Sequence, residues 1–175
     1  PGIMGSAEKN GVWVIDPILH TYDDLIETLK VNGYTTGQDL FTFPYDWRWS
    51  NTLTAVLLQN KINQVQVTCQ CAKVDLVAHS MGGLVARSYI QSDRYEHDVD
   101  QLIFLGTPHL GAPGAYLTWE GGEITPTLFS SLSKFVFTRE ARKEGFSTLF
   151  DYIRNKPIVS VQQLLPIYDY LRDKS

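Results

Sequence analysis

Hydrophobic positions fall into short apolar runs that alternate with stretches at helical spacing, the rhythm of an α/β sheet rather than of an all-helical or all-β chain. Tyr22, Leu25, Ile26 and Leu29 recur on one helical face. Thr21-Tyr22-Asp23-Asp24 ahead of them is like a capping box, and Gly33 stops the pattern. Leu40 to Phe43 reads as a short strand ended by Pro44, after which Ser50 or Asn51 opens a second helix with Leu53, Val56 and Leu57 on its apolar stripe. Val74 to Ala78 fits a fully buried parallel strand. Leu84, Val85 and Tyr89 continue beyond it at helical spacing, with no Gly or Pro until well past Ile90. Asp100 to Leu105 gives another buried strand, closed by Gly106-Thr107-Pro108.

Beyond Pro113 the strands disappear. Leu128, Phe129, Leu132, Phe135, Val136 and Phe137 crowd one expected helix, a second spans Phe146 to Arg154, and a third starts at the capping box Ser160-Val161-Gln162-Gln163. The pattern is that of a helical cap inserted after a strand. Its aromatic side chains fit either an ordinary core or the lining of an acyl pocket or lipid-facing surface.

Strand, tight turn and helix meet at Ala78-His79-Ser80-Met81-Gly82-Gly83. This order is that of a nucleophile elbow, in which the serine sits at the apex of a strained strand-to-helix turn. A bulky side chain at Ala78 or Gly82 would collide across such a bend, so the small residues there are a steric requirement. Acyl transfer also needs two backbone N–H donors aimed at the developing oxyanion. Met81, following the serine, supplies one. Pro1-Gly2-Ile3-Met4-Gly5-Ser6 is either a loop supplying the second through Ile3 or an ordinary turn.

Composition narrows the partners. The 175 residues are 43% hydrophobic, enough for one sizeable core, and the net charge of −4 without a Lys/Arg cluster argues against nucleic acid or an anionic membrane surface as an electrostatically held partner. No run of 18 apolar residues and no signal-peptide pattern at Pro1 occurs, and the compartment is left open. Cys69 and Cys71 are expected as two incidental thiols, because their spacing is short for an unstrained bridge. Pro44-Tyr45-Asp46-Trp47-Arg48 reads as a buried aromatic and ionic cluster fixing a loop rather than as catalytic machinery. His79, adjacent to the serine, is expected to shape the pocket rather than act as general base, and His109, at a strand's C-terminal end, to line the pocket. His20 and His97 are expected to be exposed.

Four segments in order resemble the successive motifs of the lecithin:cholesterol acyltransferase family of α/β-hydrolases, which includes lysosomal phospholipase and bacterial lipase-like members. They are Pro1-Gly2-Ile3-Met4-Gly5-Ser6, Phe43-Pro44-Tyr45-Asp46-Trp47-Arg48, Ala78-His79-Ser80-Met81-Gly82-Gly83 and Leu105-Gly106-Thr107-Pro108-His109-Leu110-Gly111-Ala112. The stretch from Tyr116 through Leu171 is similar to the cap of bacterial members. The resemblance implies Ser80 as nucleophile, the Ile3 and Met81 N–H groups as oxyanion hole, and a glycerolipid or other acyl ester as substrate, with transient contact to a lipid surface. No metal or organic cofactor is expected, and the oligomeric state is left open. A non-lipid esterase or amidase of the same fold, or an inactive lipid- or protein-binding module, are the alternatives.

The chain departs from the family in two places. No Gly-Asp-Gly-type acid motif follows Ser80, and no strand precedes the Pro1 loop, where the family would put one between the Leu40 and Val74 strands. The expectation is a partial α/β-hydrolase fold, incomplete at both ends: residues 1–113 as core fragment with oxyanion loop and elbow, residues 114–175 as helical cap or lid. The triad acid and base are expected downstream of Ser175. The piece alone is expected to be poorly stable and to turn over negligibly, unlike its longer parent.

Overall fold

The computed structural model describes residues 1–17, 20–123 and 131–171. They form two units, 1–107 and 108–175. The first begins with a hairpin, β1 (Ser6–Lys9) and β2 (Val12–Ile15), paired antiparallel with Ser6 opposite Ile15. Asn10 (φ 54°) and Gly11 (φ 77°) make its two-residue turn. Asn-Gly is the commonest pair where both central residues need positive φ. Neither strand is among the elements expected above.

Helix α1 (Asp23–Val31) forms where the periodicity places it, but Thr21 does not cap it. Tyr22 occupies the N-cap position with no side-chain cap bond and is itself buried. Helix α2 (Asn51–Cys69) is capped by Ser50, whose Oγ accepts the Leu53 N–H at 3.1 Å. Its buried stripe is Thr54, Ala55, Leu58 and Ile62, whereas Leu53 is exposed and Val56 and Leu57 are half-buried. The face turned inward is therefore rotated from the one expected. Small Thr54 and Ala55 admit close approach of helix α3 (Met81–Ile90), which packs against α2.

Cys69 and Cys71 are joined in a disulfide, contrary to the expected free thiols. Gln70 between them takes a left-handed conformation (φ 55°, ψ 36°) as the C-cap of α2, folding the chain back. The two Cα atoms thereby come to 5.3 Å, an ordinary separation for a bridge.

Strands β3 (Val74–His79) and β4 (Val99–Leu105) pair in parallel, with His79 opposite Leu105 and an irregularity between Val74 and Leu76. Leu40 to Phe43 forms no strand; Leu40 contributes one isolated bridge, to Thr36. A strand exists only through a neighbour's hydrogen-bond ladder. Here a groove of about 580 Å³, lined by Phe41, Phe43, Ile62, Val74, Leu76 and Ala78 among others, opens between that segment and β3.

In the second unit, helix α4 (Pro113–Gly121) opens with proline at its first position and packs against α7 (Val159–Gln162). Helix α5 (Ser131–Lys143) packs against α6 (Leu149–Asn155). Phe137 and Ala141 bury their side chains on α5 while Phe135 is exposed; the expected Leu128 and Phe129 lie outside the described residues. Ile158 occupies the N-cap position of α7 with no side-chain cap bond, and Ser160, expected as its cap, is buried inside the helix.

Candidate active site

Ser80 lies between β3 and α3 with φ 53° and ψ −129°. A non-glycine side chain in that region is strained, and the surrounding structure must hold it there. Two backbone hydrogen bonds do so: the Ser80 N–H continues the β3–β4 ladder by donating to Leu105 O at 2.9 Å, and Ser80 O accepts from the Gly83 N–H at 3.0 Å. Met81, the first residue of α3, is fully buried, and its N–H belongs to the helix's first turn, which has no intrahelical acceptor.

The Pro1–Ser6 loop packs onto this bend. A Cβ added at Gly2 would lie 2.8 Å from Ser80 Cβ and 3.2 Å from Ser80 Oγ, and one added at Gly82 would collide with the Pro1 carbonyl oxygen. Gly82 is thus explained by the loop pressing on the start of α3. Ile3 follows Gly2 within a turn closed by the Gly5 N–H donating to Gly2 O at 3.0 Å, and Met4 beyond it is buried at φ 57°.

Two tyrosine hydroxyls hold the loop. Tyr45 OH donates to Pro1 O at 2.6 Å, and Tyr22 OH accepts the Gly2 N–H at 2.8 Å. Tyr45 N–H also donates to Ser6 Oγ at 3.2 Å. Burial pushes both phenols above their ordinary range, so they stay protonated. Asp46 next to Tyr45 receives Arg48 in a bidentate pair, Nε to Oδ1 and Nη2 to Oδ2, each at 2.7 Å, and Arg48 lies over the Trp13 ring. The Pro44–Arg48 segment is a loop-fixing cluster, as its residue types indicate, and one of its members reaches the Pro1 loop. That contact was not legible in spacing, although the tyrosine stands in the family-like segment Phe43 to Arg48. Tyr22 was visible only as a helix-face residue.

His79 Nδ1 lies 2.8 Å from Tyr22 OH, and burial lowers the imidazole's pKa. Gly2, His79 and Ser80 therefore come together, whereas His109 belongs to the second unit. His20 and His97 are exposed. Among the described residues there is no group of three or more His, Cys, Asp or Glu side chains that could hold a metal ion, and no helix long and apolar enough to cross a membrane.

Strand, strained serine, helix and apposed glycine loop are shared features of a hydrolase-type α/β site. The family model for lecithin:cholesterol acyltransferase matches residues 13–165, a span that includes β3, Ser80 and α3 and begins after the Pro1–Ser6 loop. The chain belongs to that family. It is 35% identical over 138 residues to lecithin-cholesterol acyltransferase-like 4 of Arabidopsis thaliana, covering 73% of this chain and 24% of that protein. It is also 33% identical over 100 residues to phospholipase A(1) LCAT3 of the same plant, covering 55% of this chain and 22% of that protein. The chain thus spans about a quarter of the length of these relatives.

Proposed function

We propose that the chain carries the nucleophile and oxyanion-binding part of a serine acyl hydrolase or acyltransferase acting on lipid or other carboxylic esters, within a longer protein. The observation that carries this reading is Ser80 held at φ 53° in the β3–α3 bend with Gly2 packed against its side chain. Relatives named as a phospholipase A(1) and as lecithin-cholesterol acyltransferase-like support an acyl ester as substrate.

In the proposed reaction a histidine base takes the Ser80 proton as Oγ attacks the ester carbonyl, and the Ile3 and Met81 N–H groups receive the oxyanion. Collapse expels the alcohol, which takes the proton from the base. Water or a second alcohol then attacks the acyl-enzyme, giving hydrolysis or transacylation. The base and its orienting acid are assigned to the remainder of the longer protein, following the order serine, acid, histidine that the family implies. His79 and His109 are kept as pocket-lining residues, and the second unit as the cap. The groove beside β3, with one edge of that strand unpaired among the described residues, fits a further strand of the same sheet.

The test is a fluorophosphonate probe on the full-length protein. Labelling abolished by Ser80→Ala is expected; labelling that persists in Ser80→Ala, or none in the wild type, overturns the reading. A panel of ester chain lengths and amides then separates lipid from non-lipid substrates.

A further inference from the structure

Tyr22 stands at the one point where the Pro1 loop, the end of β3 and the start of α1 meet. Its side chain is buried to 7% exposure, and its hydroxyl has two partners, the Gly2 N–H and His79 Nδ1, both at 2.8 Å. A backbone amide can only donate, so the phenol oxygen accepts from Gly2. Toward His79 Nδ1 the same hydroxyl either donates or accepts, according to the imidazole tautomer, and joins the two partners either way. The rings meet edge to face, with centroids 5.5 Å apart and planes at 72°. Gly5 leaves room for this hydroxyl, since a Cβ there would lie 2.9 Å from it.

Each partner is one bond from the proposed chemistry. Gly2 faces Ser80 and immediately precedes Ile3, and His79 immediately precedes Ser80. We infer that Tyr22 is a positioning residue for acyl transfer: its hydroxyl clamps Gly2 to His79 and thereby sets the distance between the Ile3 amide and the Ser80 hydroxyl. The inference rests on the reading of Ser80 as nucleophile and deepens it. An oxyanion donor acts only if it is already in place when charge develops, and a misplacement of about 1 Å can cost roughly 10²-fold in rate. Tyr45 holds the same loop one atom group earlier, at Pro1 O. Two tethers at successive residues fix the loop's rotation as well as its height.

The test uses the full-length protein and reads kcat, KM and the rate of fluorophosphonate labelling for Tyr22→Phe, His79→Leu and the double variant. Tyr22→Phe keeps the ring and removes the clamp. It is expected to lower kcat and the labelling rate by about 10²-fold while leaving KM within about threefold. His79→Leu removes the second partner of the Tyr22 hydroxyl and is expected to show a loss of the same kind. The double variant is expected to be no worse than the poorer single, because both break one clamp.

Tyr89→Phe is the structural control. It loses an equally buried hydroxyl bond, Tyr89 OH to Asp98 Oδ2 at 2.7 Å, away from the Pro1 loop, and is expected to lower stability without changing kcat. Additive losses in the double variant, an unchanged labelling rate in Tyr22→Phe, or an equal kcat loss in Tyr89→Phe would each overturn the inference. If Tyr22→Phe does not fold, an unchanged labelling rate in His79→Leu overturns it alone. Ser80→Ala separates the two claims: labelling that survives it sinks the reading of the nucleophile, whereas labelling that it abolishes leaves the Tyr22 result to decide the clamp.

Discussion

Gly82 is placed under two opposed demands. In the first turn of α3 an alanine would gain up to about 1 kcal/mol of helix propensity. Its methyl group would, however, meet the Pro1 carbonyl, a backbone atom held in turn by Tyr45, so the loop would have to move. Overpacking of this kind costs about 1–3 kcal/mol. Gly82→Ala is therefore expected to cost up to about 2 kcal/mol in urea unfolding, the surplus of the overpacking over the propensity gain, while kcat in the full-length protein falls by more than that loss of folded protein explains. A parallel drop in both would show that the glycine serves folding alone. His79 gives a second residue-scale outcome. Burial is the largest cause holding its pKa below the ordinary 6.5, the Pro1 ammonium lowers it further, and Asp16 pulls the other way. Between the unfolded and the lower folded value the unfolded chain binds more protons, so stability rises with pH there and is lost as the pH falls. Urea midpoints between about pH 5 and about pH 7.5 should show that slope, flattened in His79→Asn. The serine's place in the bend was legible because a tight strand-to-helix turn leaves a local residue pattern. The Tyr22 and Tyr45 hydroxyl contacts were not, because they join residues distant in sequence that no periodicity relates.

At the scale of elements, the α2 stripe separates propensity from packing. Leu53 is 48% exposed and Ile62 is 2% exposed, although both are apolar residues of one helix. Ile62→Ala is expected to cost about 2–5 kcal/mol, and Leu53→Ala less than about 0.5 kcal/mol, in chemical unfolding. Reversed magnitudes would mean that the helix turns its other face inward. Ser50→Ala should cost about 1 kcal/mol through the lost cap on Leu53 N–H. The periodicity of Leu53, Val56 and Leu57 misled because it scores apolarity, whereas close helix packing favours small residues such as Thr54 and Ala55. The β1–β2 hairpin carried its own signal, Asn10-Gly11, which an emphasis on longer apolar runs passes over. The Leu40–Phe43 strand fails for the opposite reason: its composition suits a strand, and beyond one isolated bridge to Thr36 it finds no neighbouring strand among the described residues.

For the molecule as a whole, the parallel pair is the feature that asks for more structure. Strands of a parallel sheet are normally covered on both faces, yet Val77 is 44% and Ile103 45% exposed in the middle of β3 and β4. The groove beside β3 is apolar along most of its lining. Were residues 1–175 the whole folding unit, these side chains would stand in water without return. Under the proposed reading, further parts of a longer protein cover them, and Ile103 discriminates the two cases. In residues 1–175 expressed alone, which should bind a hydrophobic dye and self-associate, Ile103→Lys is expected to reduce both effects, since it places a charge on an exposed apolar face. In the full-length protein the same lysine would be buried without a partner, and unfolding should be easier by about 3–5 kcal/mol. A lysine tolerated equally in both would show that this face is open in the complete protein, and the groove beside β3 would then have to be explained as a binding cleft rather than as the seat of a strand.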